Sequence, residues 1–500
     1  MALFEQTYCI DYNGWVSGSS TAPPPKQVDF SSQTIPELIY TRAESDRVAV
    51  VFDAEKVSFT FAKVASEMET LAAGFLSIGL VPGDRILICG SNHSQVLLSA
   101  FAASRAGLVF SLANPNFHDE EAFHHALKLG SFRALVCFRA SEAQDYLHSL
   151  LVRICPELTG SHRGELKSAA LPNLSHVILA EEEHRHSGCY TLSEVFGRSS
   201  KERIEKLPNY QNWSSHKLAC LQFTMGTTAE PKLVAISHFQ LLNGARAVVT
   251  SFGIKKDQSL ACALPLFRLP IFALVCLSPF LTDSRTVFPE PQPLPRNLFA
   301  SVKKYSCSTL LTNGVALRLL LKISETQRVK LDSIEQILLL GDRVSKEALQ
   351  SIQKQANNVK IIAVSDHFIS IFHCLQQDVA RMDADGSIEI VANKEDLIYD
   401  KNNGIVEHWN IERLLNQSDL IKGVQVVSVG RGQPVTAVCV LRNPQSNATY
   451  VRSELATMCK THQFPVPDLF AFVHDFPRIH TKIQKYRLRE MLENGKISVF

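Results

Sequence analysis

Short apolar runs alternate with longer amphipathic stretches over most of this chain, and this alternation is the strongest constraint on its fold. Between the runs, segments such as 61–78 and 346–355 carry apolar residues at helical spacing. Buried strands that alternate with amphipathic helices are typical of parallel sheets covered by helices. The pattern therefore predicts an α/β fold with layered, largely parallel sheets and flanking helices. The clearest strand-like runs are residues 85–89, 134–138, 177–179, 337–340 and 359–364.

The pattern changes near residue 385, where Asp385-Gly386 predicts a turn. The roughly 110 residues that follow mix strands and helices without regular alternation, which indicates a small α+β domain. We therefore predict a large domain over residues 1–391, a hinge near Ala392 and a small mobile domain over residues 393–500. Its predicted strands are 387–391, 423–429, 436–441 and 469–474, and its predicted helices are 409–416 and 450–462.

The charge balance narrows the possible functions. The 500 residues include 51 basic and 49 acidic side chains, which gives a formal net charge of +2. Domains that bind nucleic acid are usually strongly basic, so no nucleic-acid partner is predicted. The longest apolar run, 264–281, is broken by Arg268 and three prolines. It is interpreted as buried core, and no transmembrane segment is predicted.

The cysteines and the N-terminal sequence predict an intracellular protein. Twelve cysteines are scattered singly, without a CxxC pair, which disfavours a disulfide framework or a zinc site. Residues 181–186 with Cys189 lack the regular spacing of metal ligands, so no metal site is predicted there. The first 41 residues contain one basic residue, Lys26, and show no clear targeting peptide.

The segment 221–234, LQFTMGTTAEPKLV, has the composition of a phosphate-binding loop. Glycine permits close approach of the backbone, hydroxyl and amide groups donate hydrogen bonds, and lysine supplies positive charge. The spacing of glycine and lysine differs from that of a Walker loop. Taken alone, the segment fits a solvated threonine-rich turn at least as well. The candidate phosphate ligands are Thr224, Gly226, Thr227, Thr228 and Lys232.

Together with other segments in the same order, this loop resembles the adenylate-forming acyl-CoA synthetase superfamily. The loop is similar to the family signature Ser/Thr-Ser-Gly-Thr-Thr-Gly-x-Pro-Lys-Gly. Residues 76–85 resemble an early helix-to-strand turn of that family, and 385–391 with 394–398 resemble its hinge. Residues 476–478 and 482–489 resemble its closing lysine motif. The likeness covers nearly the whole chain and is closest to the medium-chain fatty acyl-CoA ligase branch.

The resemblance implies an activity and a set of ligands. Such enzymes convert a carboxylic acid and ATP to an acyl-adenylate, with Mg²⁺, and then transfer the acyl group to coenzyme A. The acid implied here is a medium-chain fatty acid. Since that branch is often mitochondrial, the mitochondrion and the cytoplasm both stay open as compartments.

The resemblance also assigns roles to residues outside the loop. Lys482 takes the position of the lysine that neutralises charge during adenylation, and Asp378 that of the ribose-binding aspartate. Gly341, after the strand-like run 337–340, falls among the nucleotide-binding positions. Judged from the residues alone, Lys482 also fits a solvated basic helix end and Asp378 a surface loop.

The expected acyl pocket lies near Arg268, which replaces a histidine of the family. Arg268 either grips the substrate carboxylate or blocks the tunnel, and the sequence leaves both possibilities open. The apolar neighbours that favour an aliphatic acid are Phe267, Leu269, Ile271 and Phe272.

Several positions depart from the family pattern. Met225 stands in place of a serine that contacts phosphate, and Phe368 in place of the glutamate that holds Mg²⁺. Asn393 replaces an arginine that binds ribose and phosphate. The chain is also short between Phe368 and Asp378, where the family has several strands.

These departures predict weak chemistry. Each lost charged hydrogen bond or ligand costs about 1.5–3 kcal/mol. Three such losses total roughly 5–9 kcal/mol if additive, or about four to six decades of rate. Two hypotheses follow. The chain is an acyl-CoA synthetase with reduced activity, or it is a pseudoenzyme that binds a ligand or a protein partner without turnover.

Overall fold

The structure, a computed structural model, describes residues 30–117, 120–138, 146–181, 185–223, 232–327, 331–340, 359–364, 378–382, 388–393, 397–400, 404–479, 482–497 and 499. These residues form two compact units. The large unit contains residues 30–223 and 233–364, and the small unit contains Lys232 and the described residues from Asp378 onward.

Strands and helices alternate along the large unit, as the sequence predicts. Its strands are β1 (Val48–Phe52), β2 (Val57–Thr60), β3 (Arg85–Cys89), β4 (Val109–Ala113), β5 (Ala134–Cys137), β6 (His176–Leu179), β7 (Tyr190–Thr191), β8 (Leu218–Phe223), β9 (Leu233–Ser237), β10 (Ser259–Cys262), β11 (Arg285–Phe288), β12 (Thr309–Thr312), β13 (Gln336–Leu340) and β14 (Lys360–Val364). Its helices are α1 (Ile35–Tyr40), α2 (Phe61–Ser77), α3 (Ser94–Arg105), α4 (Glu120–Gly130), α5 (Tyr146–Ile154), α6 (Leu192–Gly197), α7 (Lys201–Glu205), α8 (His238–Phe252), α9 (Leu269–Thr282), α10 (Pro295–Lys304) and α11 (Gly314–Gln327), with 3₁₀ turns at Pro156–Gly160 and Tyr210–Asn212.

The large unit contains two seven-stranded sheets. The first has the order β7-β6-β5-β3-β4-β8-β9, and the second has the order β14-β13-β12-β10-β11-β1-β2. Neighbouring strands are parallel throughout, except for the antiparallel edge pairs β8–β9 and β1–β2. The prediction of layered, largely parallel sheets with flanking helices is therefore confirmed.

Side chains that alternate along each strand enter different apolar layers. In β3, Ile86 and Ile88 join the central core between the sheets, whereas Leu87 and Cys89 join an outer core with α4 and α5. The second sheet likewise shares the central core and has its own outer core with α10 and α11. Both faces of each sheet are thus covered, which is why the strands are apolar runs rather than alternating ones.

Helix α9 lies in the central core, and the apolar run 264–281 is buried as predicted. Nearly all its residues are buried, and Phe272 packs against Phe101 and Phe110 with ring centroids 5.7 Å away in both cases. A helix that is apolar all round must be buried. Among the described residues, no helix is both long and apolar enough to cross a membrane.

The small unit has the predicted α+β order, with ends shifted by one or two residues. Its main sheet pairs β19 with β20 antiparallel and β20 with β21 parallel. Its elements are β15 (Asp378–Met382), β16 (Ile388–Asn393), β17 (Ile398–Tyr399), β18 (Ile405–Val406), α12 (His408–Leu415), β19 (Ile421–Val427), β20 (Thr436–Leu441), α13 (Ala448–Thr461), β21 (Leu469–Val473), β22 (Arg478–Ile479), β23 (Lys482–Ile483) and α14 (Lys485–Glu493).

The two faces of the small sheet carry different helices. One face packs on α12 and α13 through residues such as Leu415 and Leu455, and the other packs on α14 through Leu488. Ala392 and Asn393 lie within β16, which pairs antiparallel with β15. A hinge is defined by motion between two conformations, and the structure has one conformation. The domain boundary predicted near Ala392 therefore stays a prediction.

Candidate functional site

The carboxyl ends of strands from both sheets meet beside the segment 264–269. Asn92 follows β3, and its side chain is buried. Its Nδ2 donates to the carbonyl of Leu264 at 3.0 Å, and its Oδ1 accepts from the amide of Leu266 at 2.8 Å. Because Leu264 follows β10 closely, these bonds join the carboxyl end of the first sheet to that of the second. Ligands of open α/β sheets bind at such carboxyl ends.

Gln222, near the end of β8, ties the candidate phosphate loop to the same segment. Its Oε1 accepts from the amide of Leu269 at 2.8 Å, and its Nε2 donates to the carbonyl of Phe223 at 2.8 Å. The side chain is buried, so both bonds are shielded from water. The last residue before the loop and the first residue of α9 are therefore held by one amide group.

The two ends of the phosphate loop are held together by strand pairing. Phe223 of β8 and Leu233 of β9 are direct antiparallel partners. Lys232, immediately before β9, is exposed. The strand-to-loop context that the sequence predicts is therefore present at both ends. The candidate ligands Thr224, Gly226, Thr227 and Thr228, together with the substituted Met225, lie outside the described residues.

Arg268 lies at the start of α9, where it is the N-cap residue. It is half-buried, one residue before the amide that Gln222 binds. Its backbone thus lies at the carboxyl edge of the sheets, one residue from the amide that is bonded to Gln222. That position suits either of the two roles that the sequence leaves open.

His93 is a further polar group at this edge. Its ring stacks on Phe138, with centroids 5.6 Å apart, and its Nδ1 is buried without a hydrogen-bond partner among the described residues. Burial lowers the pKa of His93, while the nearby carboxylate of Glu55 partly opposes that change. The imidazole is therefore expected to be neutral near pH 7. That carboxylate is also bound by the amide of Ser94, at 3.0 Å, at the start of α3.

The second sheet carries the expected nucleotide side of the site. Strands β13 and β14 are parallel partners, and Leu340 pairs with Val364 at their carboxyl ends. The predicted Gly341 follows β13 directly, and Phe368 follows β14 by four residues. Both residues lie outside the described part of the chain. The structure gives only the ends of the strands that precede them.

In the small unit, two positions of the family pattern are backbone partners. Asp378, the predicted ribose ligand, pairs with Asn393 across the β15–β16 ladder. Lys482 is the first residue of β23, and its partner is Ile479 of β22. The sequence alone gave no reason to place Asp378 beside Asn393.

A charged cluster links α12 to α14. Lys485 Nζ lies 3.0 Å from Glu412 Oε1, which also accepts from the amide of Val426 at 2.8 Å. Burial, together with the cations Lys485 and Arg489, lowers the pKa of the neighbouring His408 to about 3. His408 is therefore neutral at physiological pH, and Glu412 carries the negative charge of this cluster.

The magnesium site implied by the resemblance has no counterpart in the described residues. No group of three or more His, Cys, Asp or Glu side chains in this part of the chain is arranged to hold a metal ion. The position expected to hold Mg²⁺, Phe368, lies outside the described residues, and no step is derived through the ion.

Comparison with known proteins identifies the class. The sequence model of the family described as AMP-binding enzyme matches residues 40–364. The match covers more than half of the chain, so the chain belongs to the AMP-binding enzyme family.

Individual relatives are distant but match almost the full length. The human medium-chain acyl-CoA ligase ACSF2, mitochondrial, is 25% identical over 548 positions, which cover 93% of this chain and 88% of that protein. The putative acyl-CoA synthetase YngI of Bacillus subtilis (strain 168) is 23% identical and covers 91% of this chain, with 96% of that protein matched. The crystal structure of the anthranilate CoA ligase AuaEII in complex with anthranoyl-AMP has a TM-score of 0.68 at 13% identity, over 93% of this chain and 98% of that one.

These matches confirm the predicted family and fold class, and they make the chain a divergent member of the branch that includes the medium-chain ligase. The alignment with the human relative runs over 548 positions although this chain has 500 residues. The relative therefore has residues that this chain lacks. The alignment length does not locate them, so the shortening between Phe368 and Asp378 stays a prediction.

Sequence reasoning missed Asn92, Gln222, His93 and the Glu412–Lys485 pair. A polar amide at the end of an otherwise apolar strand was an available signal for Gln222, because a buried amide needs hydrogen-bond partners. The other three carried no comparable signal, since their partners are far apart in the sequence.

Proposed function

We propose that this chain is an acyl-CoA synthetase that activates a medium-chain fatty acid with ATP, at a reduced rate. The acid's carboxylate attacks the α-phosphorus of ATP, and pyrophosphate leaves as the acyl-adenylate forms. The thiol of coenzyme A then attacks the acyl carbon, and AMP leaves. The observation that carries the proposal is the family match over residues 40–364.

The proposal gives each predicted residue a task. Lys232 and the loop residues Thr224, Gly226, Thr227 and Thr228 bind the phosphates of ATP. Asp378 binds the ribose, and Gly341 lies against the nucleotide. Lys482 neutralises the negative charge that is redistributed during adenylation, which is electrostatic stabilisation of the transition state. The meeting of strand ends at segment 264–269 supports a site for the acid at this edge of the large unit.

The substrate class rests on apolar surroundings. Arg268 is flanked by the half-buried Phe267 and the buried Leu269, and the core residues Ile271 and Phe272 follow in α9. An aliphatic chain that enters such apolar surroundings gains about 0.8 kcal/mol per buried methylene. The printed names of the ACSF2 relatives, medium-chain ligases, support the same class.

The reduced rate rests on Met225, Phe368 and Asn393. The same substitutions support the second hypothesis, a pseudoenzyme that keeps a ligand site without turnover. The two hypotheses differ in one measurable reaction, because only an enzyme that forms acyl-adenylate reversibly can move labelled pyrophosphate into ATP.

The test is ATP–pyrophosphate exchange over straight-chain acids of increasing length, with benzoate as the aromatic comparison. We expect slow exchange that is greatest with medium-length acids. Lys482→Ala should abolish it, whereas Lys496→Ala, which removes an exposed lysine from the same end of the chain, should leave it unchanged. Exchange in neither wild type nor variants would establish the pseudoenzyme. Exchange with benzoate alone would contradict the substrate class.

The compartment belongs to the same proposal. We propose an intracellular location, with the mitochondrion supported by the printed names of the mitochondrial ACSF2 relatives. The cytoplasm is the alternative compartment. Fractionation of cells that express the tagged full chain distinguishes the two compartments.

A further inference from the structure

The backbone that carries Lys482 is held by a very short hairpin. Strands β22 and β23 pair through two residues each, Arg478 with Ile483 and Ile479 with Lys482. An isolated two-stranded ladder is marginal even when longer. The position of Lys482 therefore depends on what fixes the chain on either side of the hairpin, namely the buried Phe476 before it and the residues after Ile483.

The chain beyond the hairpin is fixed at two successive residues. The backbone N–H of the buried Gln484 donates to the carbonyl of Pro477 at 2.8 Å, and this bond closes the hairpin at its base. Lys485, the first residue of α14, then forms the ion pair with Glu412 at 3.0 Å. Both charged side chains are only 16% exposed, so water screens this pair less than a surface pair.

Glu412 is itself tied to the main sheet. The same Oε1 that meets Lys485 accepts the amide of Val426 in β19 at 2.8 Å. One carboxylate thus joins three elements, namely α12, β19 and the start of α14. Charged hydrogen bonds of this kind are shorter and stronger than neutral ones.

The surroundings make Glu412 hard to replace. Lys485 and Arg489 both act electrostatically on His408, which is buried beside them and neutral. If Glu412 loses its charge, Lys485 loses the carboxylate that it contacts at the first residue of α14. Leu488 still anchors the middle of that helix in the core, so the effect should concentrate at the first turn and the hairpin before it.

We propose that Glu412 and Lys485 form a positioning pair that fixes the backbone of Lys482 for adenylation. The inference rests on the proposed function and assigns two new residues to it. Neither residue touches a reacting atom in this proposal. They act by holding the hairpin, and small displacements of a catalytic group cost large factors in rate.

The test uses Glu412→Gln, which keeps an acceptor for Val426, and Lys485→Met, which keeps a long side chain. We expect each to lower kcat of pyrophosphate exchange about 10- to 100-fold with little change in KM for ATP. Lys485→Arg keeps the charge and should restore most of the rate. The double variant should be no slower than either single variant, because the pair acts as a unit.

A second reaction separates positioning from general damage. Conversion of supplied octanoyl-adenylate and coenzyme A to octanoyl-CoA does not require the adenylation role of Lys482. It should be unchanged in Glu412→Gln, whereas a merely destabilised small unit would slow both reactions. Glu454→Gln, which removes an exposed carboxylate on α13, controls for net charge. Val451→Ala, in the buried face of α13, controls for lost stability.

Amide hydrogen exchange tests the geometry without catalysis. Glu412→Gln should speed exchange over residues 478–485 and leave β20 unchanged. Faster hydrogen exchange at residues 478–485, together with a selective loss of adenylation, would support the role of the pair. A different result would overturn the role of the pair and leave the proposed function standing. In that result the wild type exchanges pyrophosphate, Lys482→Ala abolishes the exchange, and Glu412→Gln leaves it intact. A wild type without any exchange would refute the proposed function, and the role of the pair in adenylation with it.

Discussion

The amide of Gln222 offers a sharp test of the candidate site. Replacing Gln222 by leucine keeps the volume of the side chain but removes the acceptor of the Leu269 amide and the donor to the Phe223 carbonyl. A buried group left without its partner costs about 1–3 kcal/mol. Gln222→Leu should therefore lower the free energy of unfolding by about that amount, because no water reaches the abandoned amide.

Catalysis should suffer beyond this loss of stability. Gln222 joins the base of the phosphate loop to the first residue of α9, so its removal uncouples the loop from the segment that carries Arg268. A misplacement of about 1 Å can cost about a hundredfold in rate. We therefore expect pyrophosphate exchange to fall at least about tenfold, measured under conditions where the variant is fully folded.

Gln336 supplies the matched control. Its side chain is buried to the same extent, 6% exposed, and its Nε2 donates to the carbonyl of Phe252 at 2.8 Å. It lies at the first residue of β13, at the amino end of the strand and away from the site. Gln336→Leu should lower the free energy of unfolding by a similar amount, measured by urea titration, and leave pyrophosphate exchange intact. Equal loss of exchange in both variants, or none in Gln222→Leu, would refute the role of Gln222.

Three further predictions follow from the sequence and the small unit. Met225→Ser combined with Phe368→Glu should tighten ATP binding, measured by calorimetry, because the two substitutions restore a phosphate contact and a metal ligand. Unchanged affinity would show that these positions do not face ATP. Limited proteolysis should cut near Ala392–Asn393 and release a C-terminal fragment, and a resistant core across that junction would count against the hinge. His408 titrates near pH 3 when folded and near 6.5 when unfolded, so the unfolded state binds more protons between these values. The small unit should then lose about 2 kcal/mol of unfolding free energy as the pH falls from about 7.5 to 5. His408→Gln should reduce that loss in titrations followed by Trp409 fluorescence.

The strands were predictable because a strand that is buried on both faces needs a continuous run of apolar residues. Residues 85–89 and 436–441 form strands with the predicted bounds. Both consist mainly of buried aliphatic side chains, as expected for strands covered on two sides. Helix ends were less certain, since α12 begins at His408 and not at Trp409, and a helix end is set by local caps rather than by periodicity.

The polar links of the site were not predictable in the same way. Asn92 meets Leu266 across 174 residues of sequence, and Lys485 meets Glu412 across 73. A hydrogen-bonding side chain looks the same in sequence whether its partner is water or a distant carbonyl. Only the register of the sheets decides which of the two it meets, and register emerges from the packing of the whole unit.

The described apolar cores account for how a divergent member keeps its fold. The central core is built by α9 and the inward faces of both sheets. Met225 lies outside the described residues, between the last β8–β9 partners, Phe223 and Leu233. A serine at this position is predicted to change ATP affinity. Because burial of the cores stabilises the fold whether or not the site is active, a folded preparation carries no information about turnover. The loss of about four to six decades of rate predicted from Met225, Phe368 and Asn393 concerns the chemistry, whereas the described apolar cores stabilise the fold.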